Sequence, residues 1–304
     1  IVEHLFKTYK KSKIIVIDKI TYAASLDNLK DINKSKRLKI YKKDILDFKL
    51  LKKITKNTDL LIHAAAESHV DNSFRLNDNF IKTNVLGTKN IIQACMINKV
   101  KKIIHISTDE IYGEIFKGSF SENDRFNPSN PYSSSKAAAE MIVNGFIHSF
   151  KLPLIIVRAN NIFGTRQHPE KLISGCCWSF IKNKKFSIHG KGLQKRNFLF
   201  VSDFCEALVV LIKKGKTGEA YNIGSNFEYK NIDVVKIIAK ENKKIFLKNI
   251  RFIKDRPFND FRYSVNFKKI KKLGWKPKMR IEDKIQNINN WYKKNINRFK
   301  NRFE

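Results

Sequence analysis

In the first half of the chain, apolar residues come in short bursts set between polar stretches. "KIIVID" (13–18), "LKIYKKDI" (38–45), "LLIHAAA" (60–66), "KKIIHIST" (101–108) and "LPLIIVRA" (152–159) are rich in β-branched residues. Runs of this length and make-up read as strands. Helical spacing of apolar positions fills about 74–98 and about 131–150, and "IVEHLFKTYKKSK" at the start is helical as well. Strand–helix alternation of this kind predicts an α/β fold, a doubly wound parallel sheet covered on both faces. Beyond residue 165 the pattern changes. Helices at about 170–183, 202–214 and 231–241 mix with short strands near 186–188, 196–200 and 251–253. This predicts a smaller C-terminal α/β lobe, dividing the chain into residues 1–165 and 166–304.

The glycines alter this picture. A doubly wound sheet that holds a dinucleotide normally opens with a strand and a glycine-rich turn, yet the first glycine here is Gly87. The first strand already ends in Asp18, where an acid is placed to hold a ribose hydroxyl. The expectation is a sheet whose first strand and glycine-rich loop are missing, read as an N-terminally truncated sequence.

Composition narrows the function classes. The chain has 304 residues, of which 42% are hydrophobic, enough for a large core. No apolar run reaches the roughly 18 residues a membrane helix needs, and no leader pattern opens the chain. Cys95, Cys176, Cys177 and Cys205 lack zinc spacing, and their arrangement suits free thiols in a reducing compartment. The cytoplasm is therefore expected, with no membrane partner. The net charge of +33 comes mostly from Lys spread along the whole chain. That reads as solvated faces rather than a specific nucleic-acid site, although an anionic substrate gains from such a field. His63, His69 and His105 show no metal spacing and are read as structural.

The chemistry-bearing signal is "PYSSSK", with Tyr132 four positions before Lys136. On a helix these share one face. An ammonium beside a phenol is expected to lower the Tyr pKa, so that the pair can take a proton from an alcohol as hydride leaves its carbon. The pair follows a strand end bearing Ser107 and Thr108 by about 25 residues. A second signal is "HISTDEIYGE" (105–114), with Asp109 and Glu110 adjacent where a strand gives way to a loop. Adjacent carboxyls in a closed site can have one raised pKa, which suits an acid and a base working together.

Asp18, "DI" (44–45), "HAAAESHVDNS" (63–73), "TNVLGT" (83–88), "STDEIYGE" (107–114), "NPYSSSKAAAE" (130–140) and "PEKLI" (169–173) occur in order, followed by "GKGLQKRNFLFVSD", "GEAYNIGSNFE" and "DRPFNDFRY". Together they resemble the extended short-chain dehydrogenase/reductases. Among these the chain looks like the nucleoside-diphosphate-glucose 4,6-dehydratases, most like the eukaryotic dTDP-glucose enzymes. The match runs from Asp18 to about Trp291. It implies a Rossmann-type fold, a retained NAD, and oxidation at C4, water elimination across C5 and C6, and hydride return to C6. Glu110 would be the base at C5, Asp109 the acid at C6, and Thr108 the group that bonds O4, with Tyr132 and Lys136 completing the catalytic set. Cofactor contacts would be Asp18, Lys19, Asp44, Ile45, Ala64, Ala65, Ala66, Thr83, Tyr132, Lys136 and Asn161. Substrate contacts would be Ser68, Thr108, Asn160, Lys171, Leu172, Arg196, Asn231, Arg256 and Asn259. Arg196 and Arg256 suit the diphosphate, because guanidinium matches its oxygens in bidentate geometry. A homodimer paired through the helices near 74–98 and 131–150 is also implied.

Two departures leave alternatives open. "RPFND" replaces the Gly-His before Asp of many bacterial dTDP-glucose enzymes and also resembles UDP-glucose 4,6-dehydratases. His189 stands where related enzymes often have Tyr. The alternatives are a UDP-glucose 4,6-dehydratase, a sugar-nucleotide epimerase, and a non-catalytic relic without the glycine loop.

Overall fold

A computed structural model of the protein describes residues 1–299; residues 300–304, the end of the expected second half, lie outside it. The first half alternates as its pattern predicts: α1 (Val2–Thr8), β1 (Ile14–Asp18), β2 (Leu38–Lys42), α2 (Phe48–Ile54), β3 (Leu60–His63), α3 (Val70–Ser73), α4 (Asn77–Phe80), α5 (Thr88–Ile97), β4 (Lys102–Thr108), α6 (Pro131–Phe150) and β5 (Leu154–Ala159). Then follow β6 (Asn161–Phe163), α7 (Leu172–Ile181), β7 (Phe186–His189), β8 (Lys195–Phe200), α8 (Val201–Lys214), β9 (Ala220–Ile223), β10 (Glu228–Lys230), α9 (Asn231–Glu241), β11 (Ile250–Ile253), α10 (Lys268–Lys272) and α11 (Ile281–Lys294).

The parallel strands form two sheets. One pairs β1 with β2; the other has the order β3-β4-β5-β9. β1 and β3 do not pair with each other, because no strand of the described residues stands between them. The predicted helix at 74–98 is helical from Asn77, but Ile81–Gly87 winds as a π-helix between α4 and α5.

The larger sheet is covered on both faces. Ile103, Leu154 and Ile156 point to one side, where they pack with Leu51, Ile92 and Val143 from α2, α5 and α6. Ile104, Ile155 and Val157 point to the other and pack with Leu208, Leu211 and Trp275. Alternation along a strand produces this two-sided burial. The two halves interleave, since β9 lies beyond residue 165 yet pairs with β5. A separate core of Ile173, Trp178, Val234, Ile238, Ile285 and Tyr292 holds the smaller lobe together. All four cysteines are buried free thiols. No helix among the described residues is long and apolar enough to cross a membrane.

Candidate active site

β4 ends at Thr108, and the chain drops into a single 3-10 turn, Asp109–Tyr112. The Thr108 hydroxyl accepts the Glu110 N–H at 3.2 Å, closing the turn from its start. Gly113 ends it at φ +80°, where a Cβ would lie 2.2 Å from the Asn127 carbonyl oxygen, so only glycine fits. The turn sends its two acids to different places. Glu110 reaches into a large cavity, whereas Asp109 is 3% exposed and lies behind the cavity wall. Asn160 donates to the Asp109 carboxylate at 2.7 Å and accepts the Ser225 N–H at 3.1 Å. Gly224 leaves Asn160 the room to do so; a Cβ there would stand 2.4 Å from its Oδ1.

α6 begins with Pro131 in its first turn. Asn130 and Ser133 cap it reciprocally, the Asn130 side chain accepting the Ser133 N–H at 2.9 Å and the Ser133 hydroxyl accepting the Asn130 N–H at 3.1 Å. This fixes Tyr132 in the first turn and Lys136 one turn on. The Lys136 ammonium donates to the Ile106 carbonyl at 2.7 Å. Tyr132, Lys136, Thr108 and Glu110 all line the same cavity.

Burial sets the charge states here. The Asp109 carboxyl is pushed up to about 7 by burial and by the neighbouring Glu110 charge, against hydrogen bonds from Asn160 and Thr108. Burial also raises Glu110, although Arg196 and Lys171 pull it back. Lys136 is lowered to about 8 by burial, opposed by the Glu140 charge. The expected lowering of the Tyr132 phenol is not found. Burial and the Glu110 charge raise it, and only the Thr108 hydroxyl opposes them appreciably. A dry environment and two nearby carboxylates act on the phenol, and the Tyr/Lys spacing alone shows neither.

The cavity, of about 770 Å³, lies between the larger sheet and the smaller lobe. Every expected substrate residue lines it: Ser68, Thr108, Asn160, Lys171, Leu172, Arg196, Asn231, Arg256 and Asn259. Lys171 spans it, its ammonium donating to the Ser68 carbonyl at 2.6 Å. Arg196 is clamped by the 259–261 loop. It donates to the Asp260 carbonyl at 2.8 Å and the Asn259 side chain at 3.3 Å, with its guanidinium 4.4 Å from the Tyr263 ring centre. Arg256 reaches from the smaller lobe to Asp71 on α3, at 2.6 Å and 3.2 Å to its two carboxylate oxygens. Sequence reasoning missed Asp71, which also draws His69 to 3.6 Å and His189 to 3.9 Å. His69, expected to be structural, lines the cavity and faces Asp71. Nothing in the spacing of these residues signals a contact 185 positions apart.

The expected cofactor residues fall in three places. Ala64, Ala66, Tyr132, Lys136 and Asn161 line the large cavity, and Lys19 and Thr83 line a second one of about 230 Å³. The segment 64–68 borders both, through Glu67 on the smaller side. Asp18, Asp44, Ile45 and Ala65 line neither. Lys19 pairs with Asp44 at 2.8 Å beside the ends of β1 and β2. Asp18 accepts the Ile20 N–H, Ile45 is buried, and Ala65 packs into the core. The buried Ser107 hydroxyl has no hydrogen-bond partner and lines the large cavity beside Lys136. An unpartnered donor beside Tyr132, Lys136 and Asn161 fits the ribose and nicotinamide end of a dinucleotide. When bound, NAD supplies a hydride acceptor and donor.

Parallel βαβ sheets with an acid at the first strand end and a Tyr/Lys pair over the fourth define a dinucleotide-dependent α/β enzyme. The family model described as GDP-mannose 4,6 dehydratase matches residues 1–288, and the chain belongs to this family of nucleotide-sugar 4,6-dehydratases. It is 39% identical to a dTDP-D-glucose 4,6-dehydratase of Dictyostelium discoideum, over 97% of this chain and 78% of that one. It is also 39% identical to the human dTDP-D-glucose 4,6-dehydratase, over 98% and 87%. The solved dTDP-glucose 4,6-dehydratase DesIV of Streptomyces venezuelae, with NAD and TYD bound, superposes with a TM-score of 0.95 at 31% identity, covering 98% of this chain and 93% of that one.

Proposed function

We propose that the protein is an NAD-dependent hydro-lyase that converts dTDP-glucose into dTDP-4-keto-6-deoxyglucose and water. The observation that carries this reading is that Glu110 and the Tyr132/Lys136 pair line a single cavity, with the buried Asp109 next to Glu110 behind its wall. Tyr132, with Lys136 and Thr108, is assigned to take the C4 hydroxyl proton as C4 is oxidised; burial and the Glu110 charge hold its phenol protonated, so the role requires that the positive charge of bound NAD lower it. The resulting ketone acidifies the C5 hydrogen, which Glu110 removes. Asp109 protonates the C6 hydroxyl as it leaves; a carboxyl raised to about 7 keeps a substantial protonated fraction near neutrality, where an ordinary carboxyl keeps almost none. Bound NAD, held by Tyr132, Lys136 and Asn161, would supply the hydride acceptor for C4 and the donor for C6. Asp18, Lys19, Asp44, Ile45, Ala64, Ala65, Ala66, Thr83 and Asn161 are assigned to the cofactor. Ser68, Asn160, Lys171, Leu172, Arg196, Asn231, Arg256 and Asn259 are assigned to the nucleotide sugar.

A second copy of the chain is the proposed partner. Ile81, Leu86, Ile97, Met141 and Phe150 leave apolar surface exposed along the 77–97 helical segment and α6, the surfaces such a pairing would cover. Buried free thiols suit the reducing cytoplasm proposed as its location. The test is to supply purified protein with dTDP-glucose and, separately, UDP-glucose, and to follow the loss of one water by mass. Turnover of dTDP-glucose is expected. Preference for UDP-glucose would change the base assignment, and water loss from neither would overturn the reading.

A further inference from the structure

Behind the cavity lies a buried polar network that neither binding nor the proposed chemistry uses. Arg158 on β5 is 4% exposed, and Glu140 on α6 is fully buried. The guanidinium donates from Nε to the Glu140 carboxylate at 2.9 Å and from Nη2 at 2.5 Å. Its remaining terminal nitrogen, Nη1, donates to the Tyr112 hydroxyl and to the Glu122 carbonyl at 2.8 Å. Its plane lies against two rings, 5.0 Å from the centre of Tyr112 and 4.9 Å from that of Phe126. Tyr112 also donates to Asn222 on β9 at 2.9 Å. None of these residues lines the cavity.

Their positions along the chain give the network its meaning. Tyr112 is the last residue of the turn that begins with Asp109 and Glu110. Glu140 lies one helical turn beyond Lys136 and two beyond Tyr132 on α6. Arg158 therefore ties the element bearing the acid pair to the element bearing the Tyr/Lys pair. A buried ion pair is weak evidence for stability, since removing two charges from water offsets most of their attraction. A planar fork satisfied in three directions does fix geometry.

We propose that Arg158 and Glu140 are positioning residues that hold the Asp109–Glu110 turn in register with α6, and that elimination depends on them more than oxidation does. The inference rests on the dehydratase reading. The asymmetry follows from the anchors. α6 is a 20-residue capped helix whose Lys136 is tied to β4 independently of Arg158. The acid pair sits on a four-residue turn held at its start by Thr108, at the Asp109 side chain by Asn160, at the Ile111 carbonyl by the Asn127 N–H, and at its end by Tyr112, which Arg158 and Asn222 both hold; Arg158 is the one charged anchor among these. Loosening the far end moves the acids first, and a displacement near 1 Å costs on the order of 100-fold in rate.

The test uses the full-length protein in two forms. Arg158→Lys keeps the charge but loses the fork. The double variant Arg158→Met with Glu140→Gln removes both charges together, leaving no unpaired buried ion. Melting curves establish that each is folded. Water loss is expected to fall roughly 10- to 100-fold in kcat with KM nearly unchanged. Cofactor reduction on mixing with substrate should fall less than about threefold, so reduced cofactor accumulates during turnover. Equal loss of both steps, or no loss of either in folded variants, would overturn the positioning role. If the unaltered protein removes no water, the dehydratase reading falls and this inference falls with it.

Discussion

The two ends of the cavity are built differently. At the catalytic end, Asp109, Tyr132 and Lys136 are all less than a tenth exposed, and burial is the largest influence on each charge state. At the substrate end, Asp71 and Arg256 meet across the two halves with side chains 30% and 25% exposed. Ions that wet are screened and contribute little individually. The proposed acid and Tyr/Lys groups thus stand in a dry, tightly held wall, whereas Asp71 and Arg256 join the lobes through a wetter contact. Substitutions at the first end should change rates, and substitutions at the second should change affinities.

Glu110→Gln attacks the dry end most directly. It keeps the shape and removes the base, so water loss should drop by roughly 10²- to 10⁴-fold while cofactor reduction by substrate persists. Mass analysis of the product together with cofactor absorbance checks both. Full dehydration by this variant would remove the base assignment.

The same dryness should show in acid stability. His63, which bonds Thr88 at 2.8 Å, is lowered by burial to about 3, and the fully buried His105 lies well below its ordinary value. The unfolded chain takes up protons at both near pH 6.5, whereas the folded chain does not. Stability is therefore full above that range and falls as pH drops toward about 3, by up to about 1.4 kcal/mol per unit for each histidine. Denaturant melts between pH 7 and 5, compared with His105→Asn, measure the slope; an unchanged slope would contradict the assignment.

Activity should depend on pH in the opposite sense. Asp109, raised to about 7, acts only while protonated, so the elimination rate should fall as pH rises through that region. The decline approaches tenfold per unit above it. Asn160→Ala removes a hydrogen bond that favours the charged carboxylate, so it should move the midpoint upward. A midpoint that stays in place would detach Asp109 from the step.

The smallest effect belongs to the wet end. Asp71→Asn breaks an ion pair worth at most about 1 kcal/mol, so KM should change by about fivefold or less with kcat intact. A large loss of kcat would erase the contrast between the ends.

Much of this was legible in the sequence, and the gaps have physical causes. β-branched bursts located all five strands of the first half, and α9 begins and ends where its pattern predicts. The Tyr132/Lys136 spacing worked because α6 is capped where Asn130 and Pro131 stand. β9 escaped notice because "AYNI" is short and carries Asn222, a polar residue whose buried side chain is satisfied by the Tyr112 hydroxyl and the Phe120 and Asn266 carbonyls. α11 did leave a signal in the spacing of Ile281, Ile285, Ile288 and Tyr292, all buried. The Asp71–Arg256 and Glu140–Arg158 contacts left none, because each joins elements that only the folded sheet brings together. Tyr132 misled for the same reason, since the carboxylates that raise its phenol come from another strand end.

The central claim is that one site oxidises C4, removes water and returns the same hydrogen to C6. dTDP-glucose carrying deuterium at C4 tests it in a single turnover. The account predicts a 4-keto-6-deoxy product that has lost one water and keeps the label, now on C6. A product that retains its C6 hydroxyl, or one that has lost the deuterium to solvent, would contradict it.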